Sequence, residues 1–244
     1  VVAVLLMGLL LISYVSDVYR GKTQWIYIEN KYTDAELCDS LKQKLGDDFG
    51  LKIYRLWSLK GGSVQGSCGA YKVESGMSAW NLCDDIVEGR QTPVLVTFNN
   101  VRTMEQLAKR ISKQMLFDDK AFLEACDSVL QAEGFAPEEY PAAFFPDTYE
   151  FYWNASSQEV IKKLLKYYRK YWNEERVSKA KSLGLTPIQV STIASIVEEE
   201  TNKTDERPKV ARLYLNRIEK GMRLQADPTL KFAIGDFSIR RLLN

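Results

Sequence analysis

The alternation of apolar and polar residues along the chain predicts an α+β protein that becomes mainly helical after Asp118. Residues 23–30, 70–75 and 92–98 alternate as half-buried strands do, and 92–98 gives the strongest strand pattern. Apolar residues recur at three- or four-residue steps in five stretches, each of which predicts a helix: 33–46, 78–89, 103–115, 118–134 and 157–184. The aromatic stretch 140–153, which contains two prolines, is interpreted as a packed corner, with an aromatic sugar platform as the alternative.

A further helix is predicted from Thr186, because a capping Thr, a Pro at the first helical position and a Gln three residues after the cap occur together. Its apolar stripe consists of Val190, Ile193, Ile196 and Val197. A second helix follows, capped by Thr204 or Asp205 and ending at Gly221, with Val210, Leu213 and Ile218 predicted to face inward. Residues 227–229 are predicted to form a turn.

Three consecutive glutamates end the first of these helices, where carboxylates oppose the helix dipole. At about 100° per residue Glu200 falls within the apolar stripe, whereas Glu198 and Glu199 fall outside it. We therefore expect Glu200 to point towards the core or a cleft and to hold a proton near neutral pH, as a general acid must. The alternative is a structural ion pair with an arginine of the next helix, such as Arg207, Arg212 or Arg217.

The first 15 residues are uncharged and apolar, which is slightly short of a bilayer span. Because the chain starts with Val rather than Met, a few preceding residues would complete the span, and residues 1–19 are predicted to be an uncleaved transmembrane signal anchor. A cleaved secretory segment or a buried core helix would also fit the pattern. Both membrane interpretations place the rest of the chain outside the cytoplasm.

Composition limits the chemistry. The chain has 33 Lys plus Arg against 32 Asp plus Glu, a net charge of +1, so we expect no nucleic-acid partner. It has no histidine, which excludes Ser-His and Cys-His mechanisms and leaves acid-base work to carboxylates, Lys or Tyr. The four cysteines have no zinc-type spacing, and either disulfides or buried free thiols would suit them: Cys38, Cys68, Cys83 and Cys126.

Five motifs occur in order: FPDTYEF at 145–151, ASIVEEET at 194–201, ER at 206–207, NR at 216–217 and GMRLQADPT at 221–229. With them the sequence resembles the YceG-like, or MltG, family of endolytic murein transglycosylases. The strand and helix units before Asp118 are more weakly similar to the LysM-like region of that family. The resemblance implies three regions: the anchor at 1–19, an α+β LysM-like region at 23–117 and a mainly helical transglycosylase region at 118–244. Family members continue for several dozen residues, so we expect the full gene product to complete the cleft.

The resemblance implies cleavage of the β-1,4 bond between N-acetylmuramic acid and N-acetylglucosamine in nascent glycan strands, which leaves a 1,6-anhydro end. Glu200 would act first as acid and then as base, with no metal or cofactor. Asn216, Gln225, Asp227 and Thr229 would line the saccharide cleft or fix its loop. Supporting roles would fall to Arg207 and Arg217, which would orient Glu198 or Glu206.

The same resemblance implies a single-pass protein of a bacterial cytoplasmic membrane, with its catalytic region on the outer side. Its partners would be glycan strands, the lipid bilayer and proteins of cell-wall synthesis. Two alternatives stay open. One is a non-catalytic peptidoglycan-binding or scaffold protein, and the other is a hydrolytic muramidase with a second carboxylate about 5–9.5 Å from Glu200, for which Glu198 or Asp227 are candidates.

Overall fold

The computed structural model describes residues 14, 16–99 and 101–238. Within them the protein is a mainly helical α+β structure, as the sequence predicts. The described residues contain two small antiparallel sheets, a pairing that the sequence did not predict. The elements are β1 Gln24–Ile28, α1 Asp34–Leu45, α2 Asp47–Leu59, β2 Gly69–Val73, α3 Ala79–Val87, β3 Val94–Phe98, α4 Met104–Ser112, α5 Asp119–Ala132, a 3-10 helix Pro137–Ala143, β4 Asp147–Phe151, α6 Ser157–Tyr171, α7 Glu174–Ser182, α8 Pro187–Glu200, α9 Arg207–Glu219 and α10 Asp227–Ile234.

The chain divides into two compact units. Unit 1 comprises the described residues up to Phe98 together with Lys109–Ala121 and Asp147–Ser157. Unit 2 comprises Asn99–Ala108, Phe122–Pro146 and the described residues from Gln158 onwards. The domain boundaries implied by the family resemblance stay a prediction.

The first sheet of unit 1 pairs β1 with β2 in antiparallel register, with Ile26 opposite Tyr71. Helix α1 begins at a capping box in which Thr33 and Glu36 bond each other's backbone N–H groups, and it ends at Gly46, whose φ of 88° favours glycine. Helix α2, which is not predicted by the sequence pattern, packs against α1 and α3. The two strands and three helices enclose a hydrophobic core that includes Ile53 and Trp57 of α2.

The second sheet of unit 1 pairs β3 with β4, with Val96 opposite Tyr149. The prediction of a packed aromatic corner at 140–153 is therefore wrong for its second half, which is a strand. Tyr149 and Phe151 alternate with exposed residues and are buried, and the Tyr149 ring stacks on Phe98 with centroids 5.4 Å apart. Cross-strand packing of this kind stabilises β4. The two prolines that precede β4 made its strand pattern hard to recognise in the sequence.

Residues 157–184 were predicted to form one helix, and this prediction is wrong, because α6 ends at Tyr171 and α7 starts at Glu174. The side chain of Asn173 accepts a hydrogen bond of 3.0 Å from the backbone N–H of Arg176. Asn is a favoured N-cap residue, so it starts a new helix at this position.

All four cysteines are buried free thiols, which decides between the two alternatives that the sequence left open. Most of the predicted membrane anchor at 1–19 lies outside the described residues, which begin with residue 14 and continue from residue 16. Of its last residues, Val18 bridges to Ser78 and Tyr19 is buried in the core of unit 1. None of the helices in the described part of the chain combines the length and the apolar character that a bilayer crossing requires.

Candidate active site

Helix α8 of unit 2 carries the three glutamates and begins where the sequence predicts. Thr186 and Gln189 form a capping box: the Gln189 N–H donates to Thr186 Oγ1 at 3.2 Å, and the Thr186 N–H donates to Gln189 Oε1 at 2.9 Å. Pro187 occupies the first helical position. These contacts fix the start of a helix whose last residue is Glu200.

One face of α8 packs on α9 and α10. The predicted stripe of α8 is confirmed, since Ile193, Ile196 and Val197 are buried and Val190 packs against them. The inward face of α9 is partly different from the prediction, because Leu213 and Ile218 are exposed. The residues of α9 that pack in this core are Val210, Ala211, Tyr214 and Leu215. Spacings of one and four residues place these four on one side of the helix.

A short ordered link joins α8 to α9. Thr201 leaves the helix in an extended conformation and is buried, and its hydroxyl donates to Glu206 Oε2 at 2.9 Å. Lys203 Nζ lies 2.9 Å from Glu206 Oε1. Lys203 and then Thr201 lower the pKa of Glu206 through these bonds. Glu206 itself occupies the N-cap position of α9, which corrects the predicted caps Thr204 and Asp205.

The three glutamates at the end of α8 have three different partners. Glu198 Oε2 lies 2.8 Å from Nη2 of Arg207. Both carboxylate oxygens of Glu199 accept hydrogen bonds from Arg102. Glu200 Oε1 accepts a hydrogen bond of 3.0 Å from the hydroxyl of Tyr214, and within the described part of the chain Glu200 makes no ion pair. Two of the three carboxylates are therefore neutralised by arginine, and the third is held by a neutral donor.

The expectation that Glu200 lies on a buried face is wrong, because its side chain is exposed. The apolar stripe of α8 stops at Val197, and the chain then turns so that Thr201 takes the buried position. A helical wheel assumes that the helix continues, and Glu200 is the last helical residue. The alternative of a structural ion pair with Arg207, Arg212 or Arg217 is not found either: Arg207 pairs with Glu198, and Arg212 lies near Glu219.

Tyr214 is the residue that joins Glu200 to the rest of the site. Its side chain is 5% exposed, and burial followed by the hydrogen bond to Glu200 raises the pKa of Tyr214 to about 12. The charge of Asp227 acts in the same direction, whereas the charge of Arg217 lowers the pKa of Tyr214. Glu200, Arg217 and Asp227 therefore all lie close enough to the phenol for their charges to change its pKa.

The turn before α10 is held in a conformation that is rare for residues other than glycine. Gln225 has a φ of 53°, in the left-handed region. Nη1 of Arg217 donates to the carbonyl of Arg223 at 3.0 Å and to Gln225 Oε1 at 2.8 Å. Arg217 therefore orients Gln225 rather than Glu198 or Glu206, which corrects its predicted role. Gln225 is exposed, whereas the following Ala226 is buried.

The remaining predicted site residues lie on α9 and α10. The turn predicted at 227–229 is instead the first turn of α10, which Asp227 begins, with Pro228 in its first turn. A carboxylate at that end of a helix is favoured by the helix dipole. The hydroxyl of Thr229 donates to the carbonyl of Ala226 at 2.7 Å and so stabilises the start of the helix. Asn216 is half-buried and makes no side-chain hydrogen bond within the described residues.

Metal binding has no structural support in this part of the chain. Among the residues that the structure describes, no group of three or more His, Cys, Asp or Glu side chains is placed to hold an ion.

Sequence reasoning missed two residues of this site, Tyr214 and Arg102. Tyr214 could have been found from its spacing, because it lies four residues after Val210 on the predicted inward face. Arg102 had no such signal, since 97 residues separate it from Glu199.

Residues 26–244, a range that contains the five motifs, match a known protein family. The chain belongs to the YceG-like family. This confirms the resemblance drawn from the five sequence motifs.

Proteins named endolytic murein transglycosylase are among the relatives of the chain. The one from Bacillus subtilis (strain 168) is 35% identical over 99 residues, which cover 40% of this chain and 27% of that protein. The one from Streptococcus pneumoniae serotype 2 (strain D39 / NCTC 7466) is 28% identical over 195 residues, which cover 68% of this chain and 35% of that protein. The chain thus spans about a third of the length of these curated relatives.

A crystal structure of a yceG-like protein, lmo1499, from Listeria monocytogenes has a similar fold. It matches with a TM-score of 0.54 and 19% sequence identity, covering 91% of this chain and 78% of the other. At that identity the likeness concerns the fold alone.

Proposed function

We propose that the protein is an endolytic lytic transglycosylase that cleaves the β-1,4 bond between N-acetylmuramic acid and N-acetylglucosamine in nascent peptidoglycan strands, with Glu200 as its acid and base. Membership of the YceG-like family supports the reaction class. The observation that carries the choice of residue is the difference among the three glutamates. Glu198 and Glu199 are paired with arginines, whereas Glu200 is exposed and bound by a neutral phenol.

An acid in this reaction must give up a proton and take one back, and an arginine partner would hold the group in its ionised form. In the first step the protonated Glu200 transfers its proton to the glycosidic oxygen as the bond from that oxygen to C1 of N-acetylmuramic acid breaks. The 2-acetamido group of the same sugar stabilises the positive charge that develops at C1.

In the second step the Glu200 carboxylate accepts the proton of the C6 hydroxyl, and the C6 oxygen bonds to C1. The product is a 1,6-anhydro end, no water is consumed, and Glu200 is again protonated. One carboxylate is enough because the sugar supplies both nucleophilic groups, unlike the two-carboxylate arrangement of most glycosidases.

For substrate binding we assign the turn before α10. The side chain of Gln225 is exposed on a left-handed backbone, and such strain is typical of functional positions. Asp227 and Asn216, which have no side-chain hydrogen bond within the described residues, are available for hydroxyl or acetamido groups. Thr229 and Glu206, by contrast, have structural hydrogen bonds.

We also propose that residues 1–19 anchor the protein in a bacterial cytoplasmic membrane and that the remainder lies on its outer side, where glycan strands and the proteins of cell-wall synthesis are found. The support is the apolar run at the start of the chain. Protease treatment of spheroplasts should then degrade the protein, whereas degradation only after lysis would exclude this topology.

The reaction is tested by mass spectrometry of purified glycan strands after incubation with the protein and with Glu200→Gln. Glu219→Gln, which removes an exposed carboxylate of α9, is the matched control. The proposal predicts anhydro-ended fragments from the wild-type and Glu219→Gln proteins and none from Glu200→Gln. Reducing ends would instead mean hydrolysis. The candidate second carboxylate is then Asp227, because Glu198 is ion-paired with Arg207. Glycan binding without cleavage would favour the scaffold alternative.

A further inference from the structure

The hydrogen bond between Tyr214 and Glu200 distinguishes the two oxygens of the Glu200 carboxylate. Tyr214 Oη lies 3.0 Å from Oε1 and is the only partner of that carboxylate among the described residues. Tyr214 is buried, whereas the Glu200 side chain is exposed. The phenol therefore approaches from the core side of the carboxylate, and Oε2 is the oxygen that is left for a substrate.

The direction of this bond is determined by the phenol. A phenol is protonated throughout the neutral range, the more so at Tyr214, whose pKa is raised to about 12, and its O–H therefore donates a hydrogen bond to Oε1. An oxygen that already accepts a hydrogen bond is a poor site for a further proton. When Glu200 binds a proton, Oε2 carries it and Oε1 remains the accepting carbonyl oxygen.

We propose that Tyr214 is a positioning residue for Glu200: it holds Oε1 so that Oε2 is the oxygen that donates the proton to the glycosidic bond and recovers one afterwards. This inference rests on the proposed function, in which Glu200 is the acid and base. Tyr214 itself is 5% exposed and acts through Glu200 rather than by contact with the glycan.

A second consequence concerns pH. A donor bound to a carboxylate favours the ionised form, so loss of the phenol hydroxyl should keep Glu200 protonated to higher pH. The neighbouring glutamates are paired with Arg207 and Arg102. The other ionisable groups on elements packed against α8 are Glu138, Glu139 and Tyr140 of the 3-10 helix, Glu174, Glu175, Arg176, Lys179 and Lys181 of α7, Lys209, Arg212, Arg217 and Glu219 of α9, and Asp227 and Lys231 of α10. All of them remain when only the hydroxyl is removed, so a comparison with Tyr214→Phe isolates its effect.

The experiment compares the wild-type protein, Tyr214→Phe and the control Tyr171→Phe, which removes a hydroxyl from an exposed tyrosine of unit 2. Two quantities are measured. One is the pH dependence of glycan cleavage, and the other is the titration of the Glu200 carboxyl carbon by NMR, assigned with Glu200→Gln. The NMR titration does not require activity.

In Tyr214→Phe we expect the alkaline limb of the pH profile and the NMR titration midpoint to move to higher pH, together with a fall in kcat, because the carboxylate has lost its hydrogen-bond donor. Tyr171→Phe should match the wild type in both. Equal titration midpoints in the wild-type and Tyr214→Phe proteins would overturn the inference and leave Tyr214 as a packing residue. If the midpoint shifts in Tyr214→Phe but none of the proteins cleaves glycan, the proposed function is wrong, while the hydrogen bond from Tyr214 to Glu200 is supported.

Discussion

Arg102 and Glu199 form a two-point ion pair in unit 2. Nε of Arg102 lies 3.2 Å from Oε1 of Glu199, and Nη2 lies 2.8 Å from Oε2. The same guanidinium lies 5.1 Å from the ring centroid of Phe237. The pair joins the segment before α4 to the last turn of α8. Since Glu200 is the next residue, we expect Arg102 to restrain the helix end from which the proposed acid projects.

Arg102→Lys should lower the rate of glycan cleavage about tenfold while the free energy of unfolding falls by less than about 1 kcal/mol. Lys keeps the charge but cannot bind both oxygens, so the orientation of the helix end is loosened. The energetic effect is small because both side chains are about two-fifths exposed. Cleavage rates and urea unfolding measure the two effects.

The control for this variant is Arg212→Lys, because Arg212 pairs with Glu219 of the same helix and, among the described residues, with none of the three glutamates. It should cleave glycan at the wild-type rate. If Arg102→Lys also cleaves at that rate, the ion pair has no part in positioning Glu200.

Gln225→Gly and Gln225→Ala separate the backbone role of this residue from the role of its amide. Gly adopts a φ near 53° without strain and Ala does not, so Gln225→Ala should be less stable than Gln225→Gly by about 1 kcal/mol. Both variants remove the amide that Arg217 holds, so both should lose glycan affinity, seen as a higher KM. Wild-type KM in both variants would contradict the binding role, and equal stabilities would contradict the left-handed turn.

The parts of the site that depend on local contacts were predictable from the sequence. The capping box of α8 involves residues three apart, and the buried stripe Ile193, Ile196 and Val197 follows from helix period alone. Both are confirmed. By the same reasoning the break between α6 and α7 could have been found, since Asn173 is a strong cap signal within an otherwise continuous pattern.

The parts that depend on distant contacts were not predictable. The helical wheel predicted that Glu200 points towards the core or a cleft. In the structure its side chain is exposed, because Thr201 takes the buried position. Strand β4 is stabilised by pairing with β3, about fifty residues earlier in the chain, and neither strand pairing nor the Arg102–Glu199 pair leaves a periodic trace. Whether Glu200 is the catalytic acid stays a prediction.

Thr186→Ala should lower the free energy of unfolding by about 1 kcal/mol, because it removes the side-chain acceptor for the Gln189 N–H at the start of α8. Thr186→Ser keeps that acceptor and should lie close to the wild type. Thr33→Ala removes the equivalent acceptor from α1 in unit 1 and should lower the free energy of unfolding by a similar amount. Urea denaturation measures all three. A loss in Thr186→Ser as large as in Thr186→Ala would show that the cap bond is not the cause.

Two buried thiols should make the protein less stable as the pH rises above about 8.5. Burial raises the pKa of Cys83 to about 11 and that of Cys126 to about 12, with Asp127 adding to the effect at Cys126, whereas an unfolded chain has a thiol pKa of about 8.5. Between these values the unfolded chain loses the proton and the folded chain keeps it, so unfolding is favoured by up to about 1.4 kcal/mol per pH unit for each thiol. The stabilising contribution is complete below about pH 8.5 and is lost as the pH rises towards the folded values.

Cys126→Ala tests this directly, because it removes one of these two contributions and leaves that of Cys68, a third thiol whose pKa burial raises. The cavity left by the sulfur will lower stability at every pH, so the comparison is between the slopes of unfolding free energy against pH from about 8 to about 10. The slope should be clearly shallower in Cys126→Ala than in the wild type, and shallower still when Cys83→Ala is added. Parallel curves for all three proteins would mean that these thiols ionise equally in the folded and unfolded chains, and the burial of Cys126 would then have no influence on alkaline stability.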